Sequence, residues 1–176
     1  MNTASGRVLI AQTDPHVTAV LRAHFANAGF HVDACADGPA AQQFFQQSNF
    51  DAAVLDANLS EMNALDILSH LSAAAAPAAT RPAIIVTGCR SHEDIIAALD
   101  AGASDCVGER FDVEELTTRL RVRLGTRRAE RKAATETTTL TDALQTQHHR
   151  LEQLYEFGRD LSVARDEEQI YDLVIA

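Results

Sequence analysis

The chain is poor in the residues that staple small folds or hold structural metals. Its 176 residues include only three cysteines, at positions 35, 89 and 106, and none of them has CxxC spacing. They fall at the ends of predicted strands or in loops, far apart in the sequence. Zinc sites and disulfide frameworks need cysteines at recognisable spacings, so this distribution argues against both.

Familiar enzyme signatures are absent as well. The sequence contains no complete GxxxxGK, GxGxxG, HExxH or GxSxG motif, and we therefore predict that this chain is not itself an enzyme. No run of 18 apolar residues and no signal peptide is present, which predicts a cytoplasmic protein without a membrane partner. The formal net charge of −10 argues against wrapping nucleic acid or an anionic membrane.

What the chain does contain is enough apolar sequence for one core and an extension. Hydrophobic residues make up 46% of it, and its length exceeds that of a single small domain. The clearest element is the stretch 51–56, in which Ala52 to Leu55 are apolar on both faces and Asp56 ends the run. Such a pattern is typical of a buried parallel strand. Ligands collect at the carboxyl ends of such strands, so Asp56 is the first candidate site residue.

Strands and helices are predicted to alternate along the first two thirds of the chain. Asp14-Pro15 predicts a helix start, with apolar positions including Val20 directed inward as far as Ala28. Capping boxes are predicted at Ser91 with Asp94 and at Asp112 with Glu115. Five such units imply an α/β fold, with a doubly wound five-stranded parallel sheet flanked by helices and a long C-terminal helical extension. The predicted strands cover 7–11, 31–35, 51–56, 83–87 and 105–107, and the predicted helices begin near 15, 39, 64, 92 and 113.

Several landmarks in this order resemble one known family. They are the strand before Asp14-Pro15, Ala36-Asp37-Gly38, the stretch 51–56, Val86-Thr87, Ala101-Gly102-Ala103 and Phe111-Asp112. Residues 1–124 resemble the receiver domain of bacterial two-component response regulators. The resemblance implies the strand order 2-1-3-4-5, a histidine kinase as partner, and Asp56 as the aspartate that accepts a phosphoryl group.

The family's metal-binding acids are missing at the expected positions. The resemblance implies a Mg²⁺ ion held by the acceptor and by two acids directly after the first strand, but those positions carry Gln12 and Thr13. A shift of one residue would bring Asp14 into the pair, although Asp14 is more simply the cap of the following helix. Mg²⁺ requires anionic oxygen ligands, so the site is predicted to be weak or absent and no cofactor is expected.

The family's conserved lysine after the fifth strand is also missing. The corresponding position carries Glu109, followed by Arg110, and the only lysine of the chain is Lys132. Two opposite charges about 4 Å apart attract by roughly 4 kcal/mol at an effective dielectric near 20, and reversing one sign makes this a repulsion. Arg110 or Arg90 remains an alternative source of positive charge.

The residues that report phosphorylation in the family are partly changed. Thr87 keeps the hydroxyl switch position, whereas Cys106 replaces the aromatic partner. Ser60 and Ala64 stand where the family generally has proline and glycine. These changes together predict a degenerate receiver.

The tail reads as one long helix, because no proline follows Pro82. Residues 125–161 are predicted to form a coiled-coil signalling helix that pairs two copies of the chain, and an amphipathic helix lying on its own domain is the alternative. Residues 162–176 resemble the opening of a GAF-like or other output domain. The predicted seam has 4-3 spacing and contains Leu140, Leu144, Leu151, Leu154 and Leu161.

Three functions are compatible with these features. The first is a phosphorylation-independent pseudo-receiver that forms a homodimer and relays signals to an output domain, which could itself be an enzyme. The second is a working Asp56 phospho-acceptor with unusual Mg²⁺ ligands. The third is a thiol-based redox sensor that uses Cys89 and Cys106. The basic stretch 119–132 has no interleaved aromatic residue, so it is interpreted as a solvated helix face and no nucleic-acid partner is expected.

Overall fold

The computed structural model describes residues 6–73 and 81–175; the side chains at 140, 143 and 157–175 lie outside that description. Five parallel strands form one sheet in the order β2-β1-β3-β4-β5, and the predicted fold class is confirmed. The elements are β1 Arg7–Ala11, α1 Pro15–Asn27, β2 His31–Cys35, α2 Gly38–Gln47, β3 Ala52–Asp56, α3 Ala64–Ala73, β4 Ala83–Cys89, α4 His92–Asp100, β5 Asp105–Gly108 and α5 Val113–Ile175.

The central strands are buried on both faces, as their apolar runs predict. Alternate side chains of a strand point to opposite faces, so each strand contributes to two cores. Leu9, Leu55 and Val86 pack with α2, α3 and α4 on one face. Val8 and Val54 pack with α1 and the start of α5 on the other face. The helices therefore cover both sides of the sheet and leave its carboxyl edge open.

Most helix starts follow the predicted caps. Asp14 Oδ1 accepts hydrogen bonds from the amides of His16 and Val17 at 2.7 and 3.4 Å, which confirms its capping role. Ser91 and Asp94 form a complete capping box at α4. Two backbone amides donate to the Asp94 carboxylate, and these bonds lower its pKa below the usual value.

Two local predictions about the helices were wrong. Val20 is 42% exposed because the buried stripe of α1 runs through Leu21 and Phe25 instead. At α5, Asp112 accepts from the amide of Glu114, but the carboxylate of Glu115 pairs with Arg119 and does not complete a capping box.

Two strands are also longer than predicted, since β4 runs to Cys89 and β5 to Gly108. The alanine-rich sequence of residues 72–82 predicts a loose connection after α3, and most of this segment, residues 74–80, lies outside the described residues.

The first compact unit of the chain ends at Arg131 and the second covers residues 132–176. Leu116, Leu120 and Leu124 of α5 are buried in the first unit, which explains why Leu120 and Leu124 are out of phase with the tail's leucine repeat. Arg131 pairs with Asp51 at 3.3 Å, so contacts of the first unit extend beyond residue 124. None of the helices described is both long enough and apolar enough to cross a membrane.

Candidate phospho-acceptor site

The candidate site is a cavity of about 400 Å³ at the carboxyl edge of the sheet. The strands position its residues, because parallel strands place their carboxyl ends at one edge. Gln12 and Thr13 follow β1, Asp56 ends β3, Thr87 lies in β4 and Glu109 follows β5, and all five line the cavity. The structure thus brings together the acceptor position, both acid-pair positions, the hydroxyl switch position and the lysine position predicted from the sequence.

Asp56 is held at the end of β3 beside β4. Its partner in the sheet register is Thr87, and its Oδ1 accepts from the amide of Asn58 at 3.0 Å. Gly88 adopts a φ of +84°, and a Cβ at this position would lie 3.2 Å from Asp56 Oδ1. Glycine therefore keeps the space above the carboxylate open and permits a backbone conformation that other residues rarely adopt.

Gln12 is buried, and its side chain is hydrogen-bonded to Thr87, the residue at the hydroxyl switch position. It is 5% exposed, and its Nε2 donates to Thr87 Oγ1 at 2.9 Å. The Thr87 hydroxyl in turn donates to the carbonyl of Leu55 at 3.4 Å. An amide donor thus occupies the position where the family resemblance implies an anionic metal ligand, and the hydroxyl of Thr87 is held inside the protein.

The next two residues do not supply the missing charge. Thr13 is exposed and its hydroxyl lies 3.5 Å from the carbonyl of Asn58, a contact at the limit of hydrogen bonding. Asp14 lines the same cavity, but one of its oxygens accepts from two amides at the start of α1.

The cation at this edge is Arg90, and it is already paired. Its guanidinium contacts Glu109 Oε1 at 2.6 Å. Both side chains are more than half exposed, so solvent screens the pair and its contribution to stability is small. The sequence left open whether Arg90 or Arg110 replaces the missing lysine. The partner of Arg90 is the glutamate at the lysine position, and Arg110 is not among the residues that line the cavity.

A Mg²⁺ ion, which the fold family implies, does not fit the residues present. Magnesium binding needs carboxylate oxygens in near-ideal octahedral arrangement. Three carboxylates line the cavity, but Asp14 caps a helix and Glu109 is paired with Arg90. Within the described part of the chain, no group of three histidine, cysteine or acidic side chains is arranged to hold a metal ion.

Cys106, the second predicted switch position, lies away from this cavity and is joined to Cys89. The two residues form a disulfide between the ends of β4 and β5, with Cα atoms 6.7 Å apart. The sequence analysis argued against disulfides because residues 89 and 106 lack any recognisable spacing. The bond instead arises from strand pairing that brings distant residues together.

Cys35 is the third cysteine and is free. Burial, with a further contribution from the charge of Asp37, raises the pKa of its thiol to about 11. The thiol is therefore protonated at neutral pH and is a poor nucleophile.

The predicted seam of the tail is only partly described. Leu144, Leu151 and Leu154 lie in α5 and are 67%, 64% and 63% exposed. The side chains of Leu140 and Leu161 lie outside the described residues, so pairing through this seam stays a prediction.

The structure adds residues that sequence reasoning missed. Predicting the hydrogen bond from Gln12 to Thr87 would require knowing the direction in which a buried amide points, and no sequence signal gives that direction. Asp51 was treated only as the start of a strand, yet it accepts from the amide of Arg7 at 2.9 Å and pairs with Arg131.

Comparison with known proteins identifies the fold family. Residues 8–121 match the model of the response regulator receiver domain. The regulatory protein VanRB of Enterococcus faecalis is 32% identical over 65% of this chain and 50% of its own. The response regulator PmrA of Pseudomonas aeruginosa is 34% identical over 65% of this chain and 51% of its own. The chain thus spans about half the length of the curated relatives it matches.

Solved structures agree with this assignment at the level of the fold. One is the receiver domain of a Pseudomonas aeruginosa sensor histidine kinase, solved with a magnesium ion coordinated in its active-site cleft. It is 22% identical and has a TM-score of 0.61, covering 68% of this chain and 98% of that one. The family model, the curated relatives and the strand order agree, so this chain belongs to the response regulator receiver domain family of two-component signal transduction.

Proposed function

We propose that this chain is a phosphorylation-independent pseudo-receiver that dimerises through its C-terminal helix and passes a signal to an output domain. The observation that carries the proposal is the buried hydrogen bond from Gln12 Nε2 to Thr87 Oγ1 at 2.9 Å. It fills the first metal-ligand position with a donor and occupies the hydroxyl that reports phosphorylation in the family. Two steps of the usual cycle, metal binding and switching, are affected by this single contact.

The charges around Asp56 support the proposal further. Phosphoryl transfer is catalysed mainly by positive groups that stabilise the charge on the transferring oxygens. Here the lysine position carries Glu109, and the nearby Arg90 is paired with it. An incoming phosphoryl group would meet Asp56 and Glu109 without a metal ion to offset their charges.

The tail supports the dimerisation part of the proposal. Large apolar side chains that repeat at 4-3 spacing and are more than 60% exposed lose apolar surface to water when two such helices pair. A second copy of the chain is the simplest partner, because it presents the same repeat. A histidine kinase remains a further candidate partner, and cytoplasmic location and lack of nucleic-acid binding remain predictions.

The metal part of this proposal is tested by titrating Mg²⁺ into the protein and measuring heat. We expect no binding heat at millimolar Mg²⁺ for the wild type. Substituting Gln12→Asp, Thr13→Asp and Glu109→Lys together should create measurable binding that is lost again on adding Asp56→Asn. Saturable wild-type binding that depends on Asp56 would favour the alternative, a working acceptor with unusual ligands.

A further inference from the structure

Two cysteines distant in sequence meet where β4 and β5 end. The partners in this part of the sheet are Val86 with Cys106, then Thr87 with Val107, and a register shift follows before Cys89 pairs with Gly108. The Cα atoms of Cys89 and Cys106 lie 6.7 Å apart, within the usual range for disulfides. The two cysteines are not register partners, but they lie close together across the irregular part of the β4–β5 pairing.

The two thiols differ in access. Cys89 is 6% exposed and belongs to the apolar core beneath α4, whereas Cys106 is only half-buried and packs against that core. A groove of about 500 Å³ beside α3 and α4 is lined by Cys89. Cys106 is the more exposed of the two residues, so small thiols and disulfides in solution react with it first, and the neighbouring Cys89 is positioned to react with it next.

We infer that Cys89 and Cys106 form a reversible dithiol–disulfide modification site that reacts with low-molecular-weight disulfides and thiols. In closure, the Cys106 thiolate attacks one sulfur of a small disulfide, forming a mixed disulfide and releasing one small thiol. Deprotonated Cys89 then attacks the Cys106 sulfur and releases the second small thiol. The protein loses two protons and two electrons, and the small disulfide is reduced to two thiols. Opening is the reverse reaction.

This site controls the segment that leads into α4. Cys89 is followed directly by Arg90 and by Ser91, the cap of α4. In the closed form this segment is joined to β5 covalently through Cys106 and to the residue after β5 by the Arg90–Glu109 ion pair. In the open form the covalent link is lost, and the sheet pairing of Cys89 with Gly108 and the exposed ion pair remain. The helix it controls presents Ile96 and Leu99 to solvent, each 45% exposed.

The inference stands apart from the proposed function. It requires no statement about Mg²⁺ or Asp56, since the reacting atoms belong to β4 and β5 and the reagents are small thiols. A working acceptor would carry the same modification site. The failure of either idea therefore leaves the other intact.

To test this inference, the full chain is equilibrated in defined ratios of reduced to oxidised glutathione. The reaction is then quenched, free thiols are alkylated in denaturant, and the mass of the intact chain is measured. At the oxidised end we expect a chain that is not covalently linked to a second copy, is lighter by two hydrogen atoms, and takes up one alkyl label, on Cys35. At the reduced end we expect three labels. Amide exchange across residues 90–100 should be about fivefold faster in the reduced form, because a local opening loses its covalent restraint.

Cys35 provides the matched control, since β2 lies at the opposite edge of the sheet from β5. Cys35→Ser should keep the whole response, whereas Cys106→Ser should exchange at the reduced rate under all conditions. The inference is overturned by an intermolecular bond, by a bond that involves Cys35, or by no bond at any ratio. It is equally overturned by a bond that glutathione never reduces, or by equal exchange in the two wild-type forms.

Discussion

At the scale of single residues, the unusual feature of this receiver is how the polar atoms at the sheet edge are satisfied. Gln12 is 5% exposed and Thr87 is 1% exposed, and the amide of Gln12 donates a hydrogen bond to the hydroxyl of Thr87. Burying an amide without a partner costs about 1–3 kcal/mol, so the contact stabilises the fold at the position where the family resemblance implies function. Selection for metal binding would place a carboxylate there, whereas selection for a stable, inert pocket is compatible with an amide.

A double-mutant cycle measures this contact. Thr87→Val should lower the free energy of unfolding by about 1–3 kcal/mol, because it leaves the buried Gln12 amide without its acceptor. Adding Gln12→Leu should recover much of that loss, since both polar groups are then replaced by apolar ones. Chemical denaturation of the wild type, both single variants and the double variant gives the coupling energy. A coupling below about 0.3 kcal/mol would mean that the two side chains act independently.

At the level of secondary-structure elements, two carboxylates stabilise helix starts, and one of them, Asp14, also lines the Asp56 cavity. Asp14 begins α1 and Asp94 begins α4, each accepting from backbone amides that a helix start leaves unpaired. The position of Asp14 next to Pro15 made this role predictable from sequence. The alternative, in which a one-residue shift makes Asp14 a metal ligand, would require its carboxylate to leave these amides.

Substitutions at Asp14 separate the two roles. Asp14→Ala should destabilise the protein by about 1 kcal/mol, because the amides at the start of α1 lose their acceptor. Asp14→Asn should cost only a few tenths, since asparagine caps helices about as well while carrying no charge. Thermal or denaturant unfolding of both variants decides between them. Equal losses in the two variants would show that the charge matters more than the cap.

The sequence predicted the elements well where one local signal determined them. Alternating strands and helices, the Asp14 cap and the capping box at Ser91 follow from neighbouring residues in the chain, and all of them are present in the structure. The direction of Gln12, the Cys89–Cys106 bond and the Arg90–Glu109 pair depend on which strand ends meet. Such contacts join residues far apart in sequence, so no local pattern reports them.

For the whole chain, the two compact units would carry different parts of the proposed function. The first unit, residues 1–131, contains both cores and the Asp56 cavity. The second, residues 132–176, exposes large leucines among its described side chains. A helix of this kind gains stability by pairing, because isolated helices in water are marginal and most helical stability comes from packing.

Substituting Leu144 and Leu151 by glutamate should convert a dimer into monomers. The charges would lie in the predicted seam and lose hydration on pairing, which opposes association. Tyr155→Glu is the matched control, because Tyr155 is 77% exposed but lies off the 4-3 repeat. Light scattering at several concentrations measures the mass. A wild type that stays monomeric, or a control that dissociates equally, would contradict the seam.

The most direct measurement of the central claim is the mass of the intact protein after incubation with acetyl phosphate and Mg²⁺. The pocket lacks the two carboxylates of the acid pair and the lysine, so we predict no phosphoryl adduct on the wild type. The variant carrying Gln12→Asp, Thr13→Asp and Glu109→Lys should gain an adduct that is lost on adding Asp56→Asn. A wild-type adduct that disappears in Asp56→Asn would contradict the account.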